Sequence, residues 1–303
     1  MAFFVPEKFE TLIDDVDAQF RLLLRKQVIT GIDELRFEAW MANFVTPEDR
    51  YLAARLLEGL TFRSQSMVCS SFDHLLQNIL PCELRRLGLF PCRSIDEFLE
   101  TLVAGDKSHQ VRFVAIDGAH EPTPGKSGAI VIRQFRRHAN ISKQLTCRPE
   151  NIETLPGTVK CLVFVDDMVG TGTQFLSFGT HYQLQDQATR RKLLYCPLVA
   201  FESGVAEIAR SAPWVKVLEV ELLDGRHKFY RPAAHDARLW SVDQANDVAD
   251  VRNHLAELAK ARAIPASTRF TLDLVLGFEH ATPNNTLPIM WAQSPTWSPL
   301  LVR

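Results

Sequence analysis

Apolar residues recur at helical spacing through the first hundred positions and in unbroken runs after them. Phe9, Leu12, Ile13, Val16, Phe20, Leu23 and Leu24 lie three or four apart with acidic residues between them, which predicts an amphipathic helix over 9–26. Thr46-Pro47-Glu48-Asp49 reads as a helix start: threonine caps, proline suits the first helical position, and the two acids face the positive end of the dipole. That helix runs through Leu52, Leu56 and Leu57 to Gly59. Residues 70–87 predict another helix, broken near Pro81. Ser94-Ile95-Asp96-Glu97 is a capping box ahead of Phe98, Leu99 and Leu102.

From about Gln110 the period changes. Residues 111–116 form a short β-rich run, followed by a Gly/Pro loop over 117–128 and a helix over 129–137. Residues 160–165 are apolar without polar alternation, as a strand buried on both faces requires. Two more runs, 192–201 and 215–222, flank a helix over 203–210. Strands alternating with helices predict an α/β sheet with right-handed crossovers. A long amphipathic helix over 241–261 and a last strand over 270–278 lead into a Pro- and Asn-rich tail, with no internal repeat. The expected organisation is a helical region over 1–105, an α/β core over 106–225, and a helix-and-strand extension over 226–303 that completes the fold.

Composition narrows the function classes. The 303 residues are 46% hydrophobic and 23% charged, which is globular usage. Lys plus Arg is 34 and Asp plus Glu is 36, a net charge of −2, so no global field draws the chain to nucleic acid or anionic lipid. The six cysteines form no C-x-x-C pair, which gives no zinc signature and reads as reduced thiols of a cytoplasmic protein. The N-terminus lacks a basic stretch followed by an apolar run, so no signal peptide is expected, and no apolar run approaches the ~20 residues of a membrane span.

The most informative segment runs from Val163 to Gln174: a buried strand, then Asp166 and Asp167, then Gly170-Thr171-Gly172-Thr173, then a helix. Ligands of open α/β sheets bind beyond the carboxyl ends of the strands. Small residues let backbone N–H groups approach a phosphate, and the helix N-terminus adds a favourable dipole. Adjacent acids repel phosphate but accept hydrogen bonds from a sugar diol, so a 5-phosphorylated ribose matches both halves. An ordinary capped turn uses the same residue types, but the register of the acids against a buried strand favours the ligand. The Gly-Lys-Ser at 125–127 is not a P-loop, because His120 occupies the position of the first glycine and Pro122 and Pro124 remove donors.

The 163–174 segment resembles the phosphoribosyl-pyrophosphate (PRPP) signature of type I phosphoribosyltransferases. The resemblance implies that Asp166 and Asp167 hold the ribose hydroxyls and that Gly170, Thr171, Gly172 and Thr173 hold the 5′-phosphate. It also implies that Lys126 and Ser127, with their flanking glycines, meet pyrophosphate. Gly170 stands where the family has Thr or Ser, and Gln174 where it has Thr. The run His280-Ala281-Thr282-Pro283-Asn284-Asn285-Thr286-Leu287-Pro288 near Trp291, with Ala39–Phe44 upstream, is similar to the phosphoribosyltransferase-like effectors of bacterial conflict systems, the PRTase-CE group. From about Phe37 onward the chain therefore resembles that group.

The fold so implied is a type I phosphoribosyltransferase-like, mostly parallel sheet with helices on both faces, plus the N-terminal helical region. The implied activity is binding of PRPP or a related 5-phosphoribosyl compound with Mg²⁺ and transfer at ribose C1, a pentosyltransferase reaction. The implied setting is anti-phage defence, with partner proteins such as an ATPase or a reverse transcriptase. His280, Asn284 and Asn285 are candidates for substrate contact or, equally, for docking a rigid tail; Trp291 and Trp297 are read as packing residues. The basic run Arg133, Arg136, Arg137, His138 and Lys143 is either a solvated helix face or an RNA-backbone or polyphosphate contact. Two rival readings stay open: a non-catalytic nucleotide sensor that signals to a partner, and a nucleic-acid-binding module.

Overall fold

The computed structural model describes residues 3–116, 127–231, 239–243 and 245–303. The chain forms two compact units, one of Met1–Gln65 with Asp224–Arg303 and one of Ser66–Leu223.

The first unit begins with α1 (Leu12–Arg25), which buries Val16, Phe20 and Leu24, the stripe the spacing predicts. Next comes α2 (Glu34–Met41), capped by the Asp33 side chain on the Arg36 N–H and burying Phe37 and Trp40. The third helix, α3 (Pro47–Glu58), starts on a full capping box: Thr46 Oγ1 accepts from the Asp49 N–H, and the Asp49 carboxylate accepts from the Thr46 N–H. A short strand, β1 (Thr61–Arg63), follows.

The chain passes into the second unit at the start of α4 (Gln65–His74), which is followed by a five-residue π-turn at Leu75–Ile79 and by α5 (Leu80–Arg86). The expected break at Pro81 is absent, because the wide π-turn places the proline in the first turn of α5, where its missing N–H costs nothing. In α6 (Ile95–Ala104) the box is half formed. Ser94 Oγ accepts from the Glu97 N–H at 3.1 Å, but the Glu97 carboxylate takes the Arg93 N–H, one residue earlier than expected.

The sheet is then laid down as β2 (Val111–Ala115), α7 (Ser127–His138), β3 (Thr146–Cys147), β4 (Cys161–Val169), α8 (Thr173–His181), α9 (Leu184–Gln187), β5 (Lys192–Phe201), α10 (Glu202–Ser211), β6 (Val215–Val217) and β7 (Glu221–Leu223). Its order is β3-β2-β4-β5-β6, with β7 also pairing β5, and all these pairings are parallel. The architecture is α/β with a parallel sheet, consistent with a phosphoribosyltransferase-like fold. The predicted strand over 215–222 divides in two opposite Pro197. Proline has no N–H to donate, so only its carbonyl is used there, by the Val220 N–H at 3.1 Å. Phe164, Phe175, Phe178 and Tyr195 pack in the core on one side of this sheet.

The chain then returns to the first unit. The helix predicted over 241–261 begins at Val248, as α11 (Val248–Ala261), on a second capping box made by Asp247 and Asp250. The preceding residues are held out of the helix by Asp243, whose carboxylate accepts from the Ala245 and Asn246 N–H groups and from the Tyr51 hydroxyl. The predicted strand over 270–278 contracts to β8 (Leu276–Phe278), because Asp273 adopts φ +58° and interrupts the extended run. Strand β8 pairs in parallel with β1. Trp40, Phe44 and Trp297 form an edge-to-face series with centroid distances of 4.8 and 5.2 Å in this unit's core. No helix among the described residues is long and apolar enough to cross a membrane.

Candidate functional site

The sequence pattern ends the second strand of the sheet at Val165, but β4 continues to Val169 and carries Asp166 and Asp167 within it. Both acids are buried, at 2% and 7% exposure. The ladder to β5 is regular from Cys161 to Asp166, which lies opposite Pro197, and resumes at Met168 opposite Val199. At this interruption the acids bond their own backbone. Asp166 Oδ1 accepts from the Asp167 N–H at 3.1 Å, and Asp167 Oδ1 accepts from the Met168 N–H at 2.8 Å.

Burying two adjacent carboxyls sets the electrostatics of the site. Desolvation pushes the Asp166 carboxyl well above the usual carboxylate range, and the neighbouring Asp167 pushes it further. The Tyr195 hydroxyl opposes both by donating to Asp166 Oδ2 at 2.9 Å. Tyr195 is itself raised, by its own burial and then by the aspartates. Burial and the neighbouring carboxyl thus both favour the neutral form of Asp166, and a hydrogen bond links the two side chains.

Beyond β4 the chain turns through Gly170, Thr171 and Gly172 into α8. Gly172 is the N-cap at φ +80°, a conformation open to glycine, and it has no side chain with which to cap the helix. Thr171 Oγ1 and Thr173 Oγ1 lie 3.0 Å apart, and Thr171 Oγ1 also accepts from the Thr173 N–H at 3.4 Å. The turn is pressed against the first turn of α10. A Cβ on Gly204 would stand 2.2 Å from the Gly170 carbonyl oxygen and 3.1 Å from the Gly172 nitrogen. The backbone of 170–172 is thus fixed from both sides, by the buried strand before it and by α10 beneath it. An uncapped helix start carrying two hydroxyls and the positive end of a dipole is chemically suited to an anion.

The structure brings Asp166, Asp167, Gly170, Thr171, Gly172 and Thr173 together. Lys126 lies outside the described residues, and Ser127 is the first residue of α7. His280, Asn284 and Asn285 belong to the other unit. There, Asn285 Nδ2 donates to the Phe270 carbonyl at 2.8 Å, Asn284 Oδ1 accepts from Arg303, and the His280 ring lies 5.3 Å from that of Phe278. Thr286, fully buried, donates to the Leu276 carbonyl at 2.6 Å, and Trp291 Nε1 donates to the Thr286 carbonyl at 3.0 Å. These are the bonds of a docked C-terminal segment. Asn43 joins it through the backbone of Ser298, with Trp297 buried beside it.

Two residues of the site escaped the sequence reading. Tyr195 is one apolar-looking position in a buried run, and only the β4–β5 register brings it to Asp166. Gly204 reads as a plain helix residue until α10 is seen against the 170–172 turn.

Among families of known proteins, PRTase-CE matches the chain over residues 37–303. No curated protein matches it.

Proposed function

The chain belongs to the PRTase-CE family, and from that premise we propose that its phosphoribosyltransferase-like unit binds PRPP or a related 5-phosphoribosyl compound and acts at ribose C1. The observation that carries this reading is the juxtaposition of a buried carboxyl pair with an uncapped helix N-terminus bearing two threonine hydroxyls. Thr171, Thr173 and the 170–173 amides receive the 5′-phosphate. Asp167 accepts from the ribose hydroxyls, and the burial of Asp166, which disfavours its charged form, lessens the repulsion within the pair beside the sugar. The transition state at C1 gains positive charge as the pyrophosphate or base leaves, so rate enhancement comes from fixed groups that hold both ends of the substrate in place.

Mg²⁺ fits this donor set. The cation takes one or two carboxylates and fills its remaining positions with water and substrate phosphate oxygens, and of the pair Asp167 would supply the protein's share, because both Asp166 oxygens already accept hydrogen bonds. Among the described residues no cluster of three or more His, Cys, Asp or Glu is placed to cage a metal, so the ion would arrive with the diphosphate. Its chemistry there is to neutralise the departing group.

A second reading is favoured by one observation: Asp166 is sealed beneath Tyr195, and Gly170 and Gln174 lack the hydroxyls that the phosphoribosyltransferase signature carries. A site so altered senses the ligand and signals without turnover. The resemblance to conflict-system effectors supports anti-phage defence as the setting proposed for either reading, with an ATPase or reverse transcriptase as the proposed partner. Calorimetric titration with PRPP and Mg²⁺, run beside a pyrophosphate-release assay, tests both. Binding lost in Asp167→Asn, with turnover in the wild type, supports the transferase. Binding without turnover supports the sensor. Absence of binding by the folded wild type overturns both.

A further inference from the structure

A second concave site in the same unit is lined by a different set of described residues. A cleft of about 840 Å³ lies between α7 and the 143–155 segment, at the sheet edge where β3 pairs with only two residues of β2. Arg133 and Arg136 enter it from α7, three residues apart and so on one helix face. Lys143 and Arg148 enter it from the facing segment. None of these four makes an ion pair among the described residues. Among the described lining residues the one carboxylate, Glu150, accepts from the Tyr182 hydroxyl at 3.4 Å. The structure thus divides the basic run of the sequence. Arg137 and His138 are not part of the cleft, and His138 Nε2 lies 2.7 Å from the Asp73 carboxylate. Arg148, just beyond that run in sequence, joins it.

These four cations, with Arg112 as a fifth whose guanidinium donates to the Lys107, His109 and Val111 carbonyls, repel each other around one concavity, and the chain as a whole is slightly acidic. A bound polyanion removes that repulsion. Arginine grips phosphate oxygens with two donors and lysine acts as a point charge, so phosphates suit this set better than a lone carboxylate does. The volume is that of a small-molecule site. Part of the lining is apolar, from Ala129, Ile132 and Leu155, and Asn151 offers an amide. No aromatic ring is among the described residues that line the cleft, so these residues offer a single-stranded nucleic acid no stacking platform.

We propose that this cleft binds a nucleoside polyphosphate, with Arg133, Arg136, Lys143 and Arg148 on the phosphates and the apolar wall against the nucleoside. The ligand is a second input to the protein, separate from the phosphoribosyl site.

The test is equilibrium binding of ATP to the full chain, with inorganic tripolyphosphate and a short single-stranded RNA as competing probes. The variants are Arg133→Gln with Arg136→Gln, Lys143→Gln with Arg148→Gln, and Asp167→Asn. Thermal melts confirm that each is folded. ATP is expected to bind with an affinity that falls as salt rises. Each double variant is expected to weaken it by about tenfold or more, and Asp167→Asn to leave it unchanged. Tripolyphosphate is expected to compete more weakly than ATP because it leaves the apolar wall empty. ATP binding that survives both double variants, or that disappears in Asp167→Asn, overturns the assignment. RNA displacing ATP at lower concentration overturns it in favour of a nucleic-acid groove. Failure of PRPP to bind leaves this result untouched, since none of the four cations whose replacement is expected to weaken ATP belongs to the phosphoribosyl site.

Discussion

The Tyr195 hydroxyl donates to Asp166 Oδ2 at 2.9 Å, under a parallel stack in which the Phe175 ring lies 4.1 Å from that of Tyr195. The bond crosses from β5 to β4 in the interior of the sheet, where a carboxyl cannot draw on water. A lost donor there is not replaced. Tyr195→Phe removes the hydroxyl and keeps the ring stack, so it isolates the bond. Urea unfolding is expected to show a loss of about 1–3 kcal/mol with an unchanged slope. A variant as stable as the wild type would remove the bond from the account of Asp166.

The raised Asp166 carboxyl carries a pH signature. The unfolded chain releases this proton near the usual carboxylate value of 3.8, and the folded chain holds it to higher pH. Between those two points the folded state binds more protons than the unfolded one, so stability falls as pH rises, by up to about 1.4 kcal/mol per pH unit. Asp166→Asn has no proton to lose, and its amide keeps an oxygen for the Asp167 N–H. Melting temperatures of the two proteins across pH 4 to 8 are expected to diverge, the variant gaining on the wild type as pH rises. Parallel curves would mean that Asp166 ionises in the folded protein at no cost.

Thr171→Val keeps the shape of the phosphate turn and removes one hydroxyl. The partner it leaves, Thr173 Oγ1 at 3.0 Å, is exposed and finds water. Stability is therefore expected to change by less than about 0.5 kcal/mol, while PRPP affinity falls by about 1–3 kcal/mol. Calorimetric titration beside a denaturation curve separates the two. Unchanged affinity would detach the 171–173 hydroxyls from the phosphate.

Much of this fold is written locally. Thr46 and Asp49 announce the start of α3 within four residues, and the unbroken apolar runs of β4 and β5 announce a sheet buried on both faces. The phosphate turn is also local, because glycine and threonine at a strand–helix junction act through their own backbone. What stays hidden depends on partners distant in sequence. Nothing near Asp166 says that its strand continues, because the effect of Pro197 on the ladder and the donation from Tyr195 come from β5. The split of the 215–222 run has the same origin. The π-turn at Leu75–Ile79 carries no composition signal, so Pro81 looks like a break. The late start of α11 follows from Asp243 binding Tyr51, a contact across 192 residues.

Gly204 connects α10 to the phosphate turn by having no side chain. A Cβ there would lie 2.2 Å from the Gly170 oxygen and 2.8 Å from its carbonyl carbon, both backbone atoms that give way only if the turn moves. Gly204→Ala is expected to cost about 1–3 kcal/mol of stability by overpacking. Because the displaced atoms belong to the phosphate turn, PRPP affinity is expected to fall further than it does in Thr171→Val. A variant that loses stability and keeps its affinity would show that the turn does not hold the ligand.

Asn43 ties the end of the chain to α2. Its Nδ2 donates to the Trp40 and Ser298 carbonyls, each at 2.8 Å, and its Oδ1 accepts from the Ser298 N–H at 3.1 Å. With the amide 7% exposed, water cannot stand in for these bonds. Asn43→Ala leaves the Ser298 peptide without partners and is expected to cost about 2–3 kcal/mol in chemical denaturation. Asn43→Asp is expected to cost more, because it points a carboxylate at two carbonyl oxygens. Limited proteolysis should then release the 291–303 segment, in which Trp297 and Leu300 are buried, before the rest of the chain is cut. If Asn43→Ala melts with the wild type and its C-terminus stays protected, the segment is held by its aromatic packing alone.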